Sequence, residues 1–378
     1  YLCVGYIPIS SMLAVLSATA PTALPEPEPP SATAAAVPGL IVDTDIGGGG
    51  CRDVDDVGAL GVANALADSG VVNLLGVVQN TQATNSTGVI SVVQRYYSRT
   101  IPTGVYRGSG LRDLAALPYV ADIVARWPSP VRNSSQAGSA VKLYRHLLAG
   151  QPDRSVAVAS IGLLTNLAAL FQSSADEHSP LSGLSLFGQK VFRLAIMGGR
   201  YPSSKGQRCE CNFCAAAWGG IDHRAAVQAS AHVVERLPAD VDVVFSGLEV
   251  GLRVVTGAAL STCAPAASPL RQAYVDYGGG VDRGRYSWDL ITTHVAAAGG
   301  LPGVRRCSDC GGVNVVDASS GANAWRRGPA ANQTYLVLED AADAQRVIDR
   351  LLCQPPRLGA SAPNDVPFAA FARAGPIE

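Results

Sequence analysis

Residues 39–56 read GLIVDTDIGGGGCRDVDD, and this stretch decides the fold. Its apolar run at 40–42 has the length and composition of a buried strand, and Asp43 and Asp45 follow the run directly. A glycine run, a second group of acids and an apolar segment of helical length from Val57 come next. A strand, a glycine-rich turn and a helix in this order predict the first half of a strand–helix–strand unit, from which parallel sheets are built.

The same alternation of short apolar runs and longer helix-like segments continues through the rest of the chain. We predict strands at 40–42, 73–78, 103–106, 155–159, 192–196, 241–245 and 335–338. We predict helices at 57–66, 89–97, 141–148, 164–171, 290–298 and 341–352. This order predicts an α/β fold with an open, mostly parallel, Rossmann-like sheet flanked by helices.

The composition belongs to a folded protein without a strong charge bias. Of the 378 residues, 48% are hydrophobic and 16% are charged, a balance typical of globular domains. The 29 lysines and arginines against 30 acids give a formal net charge of −1, so we expect no nucleic-acid partner. Because the composition does not change after residue 38, we predict one domain at 39–378.

Residues 1–38 are predicted to be an apolar leader followed by a proline- and alanine-rich linker. Residues 1–20 carry no lysine or arginine, and their apolar core at 12–16 resembles the end of a secretory signal peptide. A membrane anchor is the alternative, but Pro8 interrupts the run, which falls short of a spanning helix. We therefore predict a secreted or endomembrane-lumen protein without stable membrane insertion.

The cysteine count fits an oxidising compartment. Cys3 lies in the leader, and an even number remains in the body, as disulfides require. The eight body cysteines are Cys51, Cys209, Cys211, Cys214, Cys263, Cys307, Cys310 and Cys353. The alternative is a zinc site from the five cysteines at 209–214 and 307–310, whose spacing suits chelation. The sequence does not fix which cysteines pair.

Three N-x-S/T triplets, at Asn85, Asn133 and Asn332, agree with a secretory route. Such triplets are acceptors for N-glycans, so the protein is expected to be a glycoprotein.

Five acids lie within residues 43–56, ahead of the first predicted helix. Carboxylates crowded at one strand end repel one another unless a cation neutralises them, and hard oxygen ligands favour Ca²⁺ or Mg²⁺. A solvated acidic loop with helix caps is the plain alternative. A P-loop is excluded because no Gly-Lys-Ser/Thr follows the glycines. An aspartyl-phosphate phosphatase also starts with Asp-x-Asp after a strand, but it is disfavoured because the second acidic pair comes only eleven residues later.

Further polar residues follow other predicted strands: Asn80 comes after 73–78, and Thr165 with Asn166 after 155–159. In an open parallel sheet, ligands bind in the crevice outside the carboxyl ends of the strands. We therefore expect these residues to converge near Asp45.

Taken in order, these segments resemble the calcium-dependent inosine/uridine-preferring nucleoside hydrolase family over about residues 40–352. The resemblance is carried by Asp43-Thr44-Asp45-Ile46-Gly47 with Asp55-Asp56, Val77-Val78-Gln79-Asn80, Val105-Tyr106-Arg107-Gly108, Gly162-Leu163-Leu164-Thr165-Asn166, Met197-Gly198-Gly199, Glu210-Cys211-Asn212-Phe213 and Trp288-Asp289. It implies a nucleoside hydrolase-like catalytic domain at 39–378. It also implies an N-glycosyl hydrolase that frees base and ribose from nucleosides, as in purine and pyrimidine salvage.

The resemblance also implies roles for individual residues. Ca²⁺ would be held by Asp45, Asp56, the backbone carbonyl of Thr165 and Asp289, with Asp45 acting as general base on a water at the metal. The nucleoside substrate would be held by Asp55, Asn80, Glu210, Asn212 and Trp288. A homo-oligomer is left open.

Two departures from the family pattern bear on these roles. Residues 48–52 look inserted, which leaves the register of Asp53 open. Trp288 stands where family members often carry a histidine, and an indole cannot act as a general acid at neutral pH. A noncatalytic ribose- or nucleoside-binding protein and a hydrolase of another glycoside are therefore kept as alternatives, although Asp45 and Asp56 favour catalysis.

Overall fold

The computed structural model describes residues 1–2, 36–48, 51–82, 85–109, 111, 117–202, 208–215, 223–278, 281–329 and 332–357. The chain divides into two units, residues 1–36 and 37–378, and the fold below is that of the second. Most of the predicted leader and linker lies outside the described residues, so the signal peptide stays a prediction. None of the helices in the described ranges has both the length and the apolarity to cross a membrane.

Thirteen strands occur within the described residues. They are β1 (Gly39–Thr44), β2 (Asn73–Gln79), β3 (Thr103–Val105), β4 (Gly138–Ser139), β5 (Val156–Ile161), β6 (Val191–Met197), β7 (Asp242–Ser246), β8 (Val255–Thr256), β9 (Arg285–Tyr286), β10 (Val304–Arg306), β11 (Gly312–Val316), β12 (Asn323–Arg327) and β13 (Gln333–Leu338). All seven predicted strands are confirmed, and none of their ends shifts by more than two residues.

Thirteen α-helices occur in the same ranges. They are α1 (Asp55–Asp68), α2 (Ser86–Tyr96), α3 (Pro118–Arg126), α4 (Ala140–Ala149), α5 (Thr165–Gln172), α6 (Gly183–Lys190), α7 (Cys211–Cys214), α8 (His223–Glu235), α9 (Leu248–Gly251), α10 (Leu260–Cys263), α11 (Pro269–Gly278), α12 (Trp288–Ala298) and α13 (Ala341–Leu352). The six predicted helices are confirmed as α1, α2, α4, α5, α12 and α13.

Nine strands form one sheet in the order β10-β13-β7-β6-β5-β1-β2-β3-β4. Every neighbouring pair is parallel except β10 and β13. The predicted open, mostly parallel α/β sheet is thereby confirmed. Strand order reverses direction at β1, since β2 lies on one side of it and β5 on the other, and a ligand crevice forms where such a reversal occurs.

The sheet is covered on both faces, as its continuous apolar strands require. Leu40 and Val42 of β1 belong to a core shared with α1, α2, α12 and α13, whereas Ile41 belongs to a core shared with α4, α5, α6 and α8. This follows from the two-residue period of a strand, which sends successive side chains to opposite faces. Asp43 and Asp45 come at the end of this fully buried strand.

The eight body cysteines form four disulfides. Two of them hold the segment around α7: Cys51–Cys211 and Cys209–Cys214. Cys263–Cys353 joins α10 to the end of α13, and Cys307–Cys310 closes a short loop after β10. The five cysteines of the zinc alternative are therefore all disulfide-bonded.

We expect these four pairs to be found in the protein as isolated. Thiol titration after denaturation without reductant should detect none of the eight body cysteines, and non-reducing peptide mapping should recover the four pairs. Eight titratable thiols, or one zinc ion per chain, would contradict the disulfide assignment.

Candidate active site

A cavity of about 510 Å³ opens at the carboxyl ends of β1, β5 and β6. Five of the acids identified in the sequence line it: Asp45, Asp53, Asp55, Glu210 and Asp289. Aromatic, basic and apolar side chains line the rest, among them Arg52, Leu117, Met197, Leu248, Tyr277, Arg285 and Trp288. The cavity therefore lies in the crevice that the strand order predicts.

Three buried carboxylates meet where two helices begin. Asp55 and Asp56 are the first residues of α1, and Asp289 is the second residue of α12, which packs along α1. Carboxylate oxygens of the three lie within 4.8 Å of one another, and the residues are 2%, 1% and 5% exposed. The backbone N–H of Asp289 donates to Asp55 Oδ2 at 3.1 Å. The positive ends of both helix dipoles favour negative charge here.

The electrostatics of this cluster favour a counter-charge. Burial, then repulsion from neighbouring carboxylates that include Asp45 and Asp53, raises the pKa of Asp55, Asp56 and Asp289 well above the usual range of a carboxylic acid. A bound cation would stabilise all three in the ionised form. Because every donor is a carboxylate oxygen, the set fits a hard divalent ion such as Ca²⁺ or Mg²⁺ rather than a soft metal.

Asp45 follows β1 directly and faces the same cavity. Its Oδ2 accepts a hydrogen bond from the backbone N–H of Cys51 at 2.5 Å. Burial raises the pKa of Asp45 to about 7, and the charges of Glu210 and Asp53 add to the effect. Asp45 also interacts electrostatically with the three clustered acids, although it lies outside the tight group that they form.

Asp43, two residues earlier, anchors a buried polar network instead of lining the cavity. Its carboxylate accepts hydrogen bonds from Asn80 Nδ2 at 3.1 Å, Tyr144 OH at 2.9 Å and Asn166 Nδ2 at 3.0 Å. The Asn80 side chain also accepts from the backbone N–H of Leu163 at 3.2 Å. The network thus ties the ends of β1, β2 and β5 together.

Asn80, Thr165 and Asp56 do not line the cavity, although we predicted all three as site residues. Asn80 uses its amide within the Asp43 network, and Thr165 Oγ1 donates to the backbone carbonyl of Asn80 at 2.6 Å. Asp56 accepts a short hydrogen bond from Thr44 Oγ1 and belongs to the three-acid cluster.

Glu210 and Asn212 flank the first residue of α7. Glu210 is the N-cap of this short helix, and its Oε2 accepts from the backbone N–H groups of Gly199 at 3.1 Å and Asn212 at 3.0 Å. Asn212 Nδ2 donates to the carbonyl of Met197 at 3.1 Å. Burial raises the pKa of Glu210 to about 7. Both side chains are thereby fixed at the cavity edge beside the end of β6.

Trp288 lines the cavity next to Asp289. Its indole Nε1–H donates to the carbonyl of Leu248 at 2.8 Å, so the only polar atom of the side chain is already used. The guanidinium carbon of Arg285 lies 5.6 Å from the Trp288 ring centroid and 5.4 Å from that of Tyr277. These three residues form an aromatic and cationic wall, which we call the Trp288 wall.

Asp53, whose alignment with the family pattern the sequence leaves open, forms an ion pair with Arg285. Both of its carboxylate oxygens accept from Arg285, at 2.6 to 3.0 Å, which commits Asp53 to the guanidinium. Asp53 is therefore paired with a residue of the Trp288 wall, and it is not one of the three clustered acids.

Six of the nine predicted site residues line one cavity: Asp45, Asp55, Glu210, Asn212, Trp288 and Asp289. Sequence reasoning missed Tyr277, Arg285 and the disulfide Cys51–Cys211, which also contribute to the lining. Arg285 stands three residues before Trp288, close enough to suggest a shared wall, but no sequence pattern marks Tyr277.

No sequence profile of a known protein family matches the chain, and no curated protein matches it in sequence. Solved structures do match. The chain superposes on the plant nucleoside hydrolase PpNRh1 with a TM-score of 0.57 and 16% identity, covering 84% of this chain and 99% of that one. An inosine-uridine preferring nucleoside hydrolase from Bacillus anthracis gives the same TM-score, identity and coverage, 0.57, 16%, 84% and 99%.

A third similar structure is the type III effector protein XopQ complexed with adenosine diphosphate ribose, with a TM-score of 0.58 and 14% identity over 85% of this chain and 93% of that one. At such identities the likeness establishes the fold. The chain has the fold of nucleoside hydrolases, and the catalytic aspartates of the sequence analysis stay predictions.

Gly162, directly after β5, allows Asp45 to sit close to the neighbouring strand. A Cβ at this position would lie 2.6 Å from Asp45 Oδ1 and 2.7 Å from its backbone nitrogen. We expect Gly162→Ala to lower the free energy of unfolding by about 1–3 kcal/mol, the usual cost of overpacking. Gly300→Ala is the matched control, because a Cβ there meets nothing within 4 Å. Urea unfolding checks both, and equal stabilities would contradict the placement of Asp45.

Proposed function

We propose that this protein is a calcium-dependent N-glycosyl hydrolase that cleaves ribonucleosides into free base and ribose. One observation carries the proposal: Asp55 and Asp289 of the buried three-acid cluster line, together with Asp45, the crevice of a nucleoside hydrolase fold. The size of the cavity, about 510 Å³, suits a small-molecule substrate.

Calcium fits the donor set described above. The ion would be held by Asp45, Asp56, Asp289 and the backbone carbonyl of Thr165. Asp55 lies close to Asp56 and Asp289, so the charge of the ion would also favour its ionised form. When bound, Ca²⁺ supplies neutralising charge and makes a nearby water more acidic. The buried position of the carboxylates strengthens these interactions because little water screens them.

The side chains of the site have different roles in the proposed reaction. Asp45 accepts the proton of the water that attacks the anomeric carbon, and its hydrogen bond from Cys51 orients the carboxylate. Glu210, Asn212 and Asp55 bind ribose hydroxyls. Carboxylates on this side of the cavity stabilise the positive charge that develops on the sugar as the glycosidic bond breaks.

Asn80 is also proposed as a ribose contact, although its side-chain bonds to Asp43 and Leu163 support a second role. Through these bonds it joins the end of β1 to the loop after β5. We therefore propose that Asn80 also helps to position Asp45.

A noncatalytic nucleoside-binding protein is the second candidate function. It is favoured by Trp288, which cannot protonate a leaving base, and by the similarity to XopQ, whose structure is a complex with adenosine diphosphate ribose. Hydrolysis of a different glycoside is the third. Assays for released ribose separate these candidates from the proposed one.

A secreted or lumenal location is proposed from the four disulfides, which persist in oxidising compartments. N-glycosylation is proposed at Asn133, whose side-chain oxygen accepts from the backbone N–H of the exposed Ser135 at 3.0 Å. Asn332 is a poorer acceptor because its amide nitrogen already donates to two backbone carbonyls, those of Pro238 and Val241.

The function itself is tested by incubating a panel of nucleosides with the protein and calcium and measuring free ribose. We expect turnover by the natural sequence, and a loss of at least about 10²-fold in Asp45→Asn, because the substitution removes the proton acceptor. Asp240→Asn, at an exposed position outside the cavity, should keep normal turnover. Turnover by Asp45→Asn equal to that of the natural sequence would refute Asp45 as the base.

Calcium binding is tested separately by calorimetry on chelator-stripped protein. We expect one Ca²⁺ per chain and a large loss of affinity in Asp56→Asn, since one of the clustered carboxylates is removed. Asp240→Asn again serves as control. A protein that binds no Ca²⁺, or an Asp56→Asn variant with unchanged affinity, would rule out the proposed metal site.

The Trp288 wall predicts a preference for substrates with good leaving groups. Because the indole N–H is committed to Leu248, Trp288 can stack on a base but cannot protonate it. We expect faster hydrolysis of 4-nitrophenyl riboside than of inosine, and a higher KM for inosine in Trp288→Ala. Faster inosine hydrolysis, with loss of a basic-limb pKa in the variant, would contradict this assignment.

A further inference from the structure

We propose that the disulfide Cys51–Cys211 positions the reacting groups of the site, so that full activity requires this bond to be oxidised. The proposal rests on the function proposed above and extends it to the regulation of the same site. The disulfide contributes both of its cysteines to the cavity lining, unlike the other three disulfides among the described residues, of which neither member lines it.

The Cys51 end of the disulfide acts on the proposed base. The backbone N–H of Cys51 donates to Asp45 Oδ2. A covalent bond at the Cys51 side chain therefore restricts where its N–H can lie. The orientation of the Asp45 carboxylate depends on that donor.

The Cys211 end acts on the proposed ribose contacts. Cys211 stands between Glu210 and Asn212, and it begins the four-residue helix α7 that Glu210 caps. A helix of this length is not stable alone, so covalent links must help to hold it. Besides Cys51–Cys211, the neighbouring pair Cys209–Cys214 closes the helix itself.

The bond thus joins, at the cavity lining, two sets of groups that no strand pairing connects directly. Asp45 follows β1, whereas α7 comes after β6, and β5 lies between these two strands in the sheet. Cys51 and Cys211 are 160 residues apart in sequence, and their Cα atoms are 5.7 Å apart. The disulfide sets the distance between the proposed base and the proposed ribose contacts.

Reduction would release this constraint. A dithiol such as dithiothreitol attacks one sulfur, the S–S bond breaks, and the two cysteines gain two electrons and two protons as thiols while the dithiol becomes a cyclic disulfide. Both cysteines are only partly buried, so a reductant entering the cavity can reach them. Small displacements of reacting groups are sufficient to reduce turnover by about 10²-fold.

The test compares Cys51→Ser/Cys211→Ser with Cys263→Ser/Cys353→Ser. The control removes a disulfide that closes a chain segment of 90 residues and has neither cysteine in the cavity lining, so its effect on the unfolded chain is comparable. Steady-state kcat and KM for a nucleoside, calcium affinity by calorimetry and thermal unfolding are measured for both, with and without dithiothreitol.

We expect kcat/KM of the Cys51/Cys211 variant to fall by about 10- to 100-fold, with weaker calcium binding, and dithiothreitol to cause no further loss. The control should keep normal kcat and KM at temperatures where it is folded. Normal kinetics and calcium affinity in a folded Cys51/Cys211 variant would overturn the proposal, because the bond would then serve stability alone.

If the variant does not fold, the natural sequence is reduced mildly and the opened bond is identified by peptide mapping. Loss of turnover in protein that keeps its circular dichroism and has Cys51–Cys211 open supports the proposal, and unchanged turnover overturns it. Failure of the proposed function would give a different result from failure of this proposal. The oxidised natural protein would then release no ribose, and the effect of the disulfide on calcium affinity could still be measured.

Discussion

The mutual repulsion of buried carboxylates is the constraint on which the rest of this structure depends. Asp55, Asp56 and Asp289 are almost fully buried within a few ångströms of one another, and Asp45 adds to the same field. Neutral apolar packing cannot stabilise such an arrangement. The buried carboxylates are explained if the protein accepts a loss of stability at this site in order to bind a cation. The N-termini of the two helices reduce that loss.

The fold brings the acids of this cluster together. The reversal of strand order at β1 leaves a crevice, the Asp43 network ties the strand ends together, and Gly162 leaves room for Asp45 beside the end of β5. Beside the acids, the Asp53–Arg285 ion pair supports an aromatic wall. The site therefore combines anionic, oxygen-rich carboxylates with a flat aromatic wall, and we propose that sugar and metal bind the carboxylates and the base binds the wall.

Much of this architecture is local in origin and could be predicted. The strands and helices with strong apolar periodicity were found, because that pattern depends only on neighbouring residues. Two-residue strands such as β8 and β9, and helices such as α8 with many small or polar residues, were missed since tertiary contacts stabilise them. Sequence placed Asn80 at a strand end but not the direction of its amide, and spacing alone could not pair Cys51 with Cys211.

The central claim is that the buried acids hold a calcium ion that hydrolysis requires. The most direct measurement titrates Ca²⁺ into chelator-stripped protein and follows binding heat and ribose release from a nucleoside in parallel. The account predicts that ribose release is negligible without Ca²⁺ and rises with occupancy of one site per chain. Ribose release that is unaffected by chelation, or full occupancy of that site without any release, would contradict it.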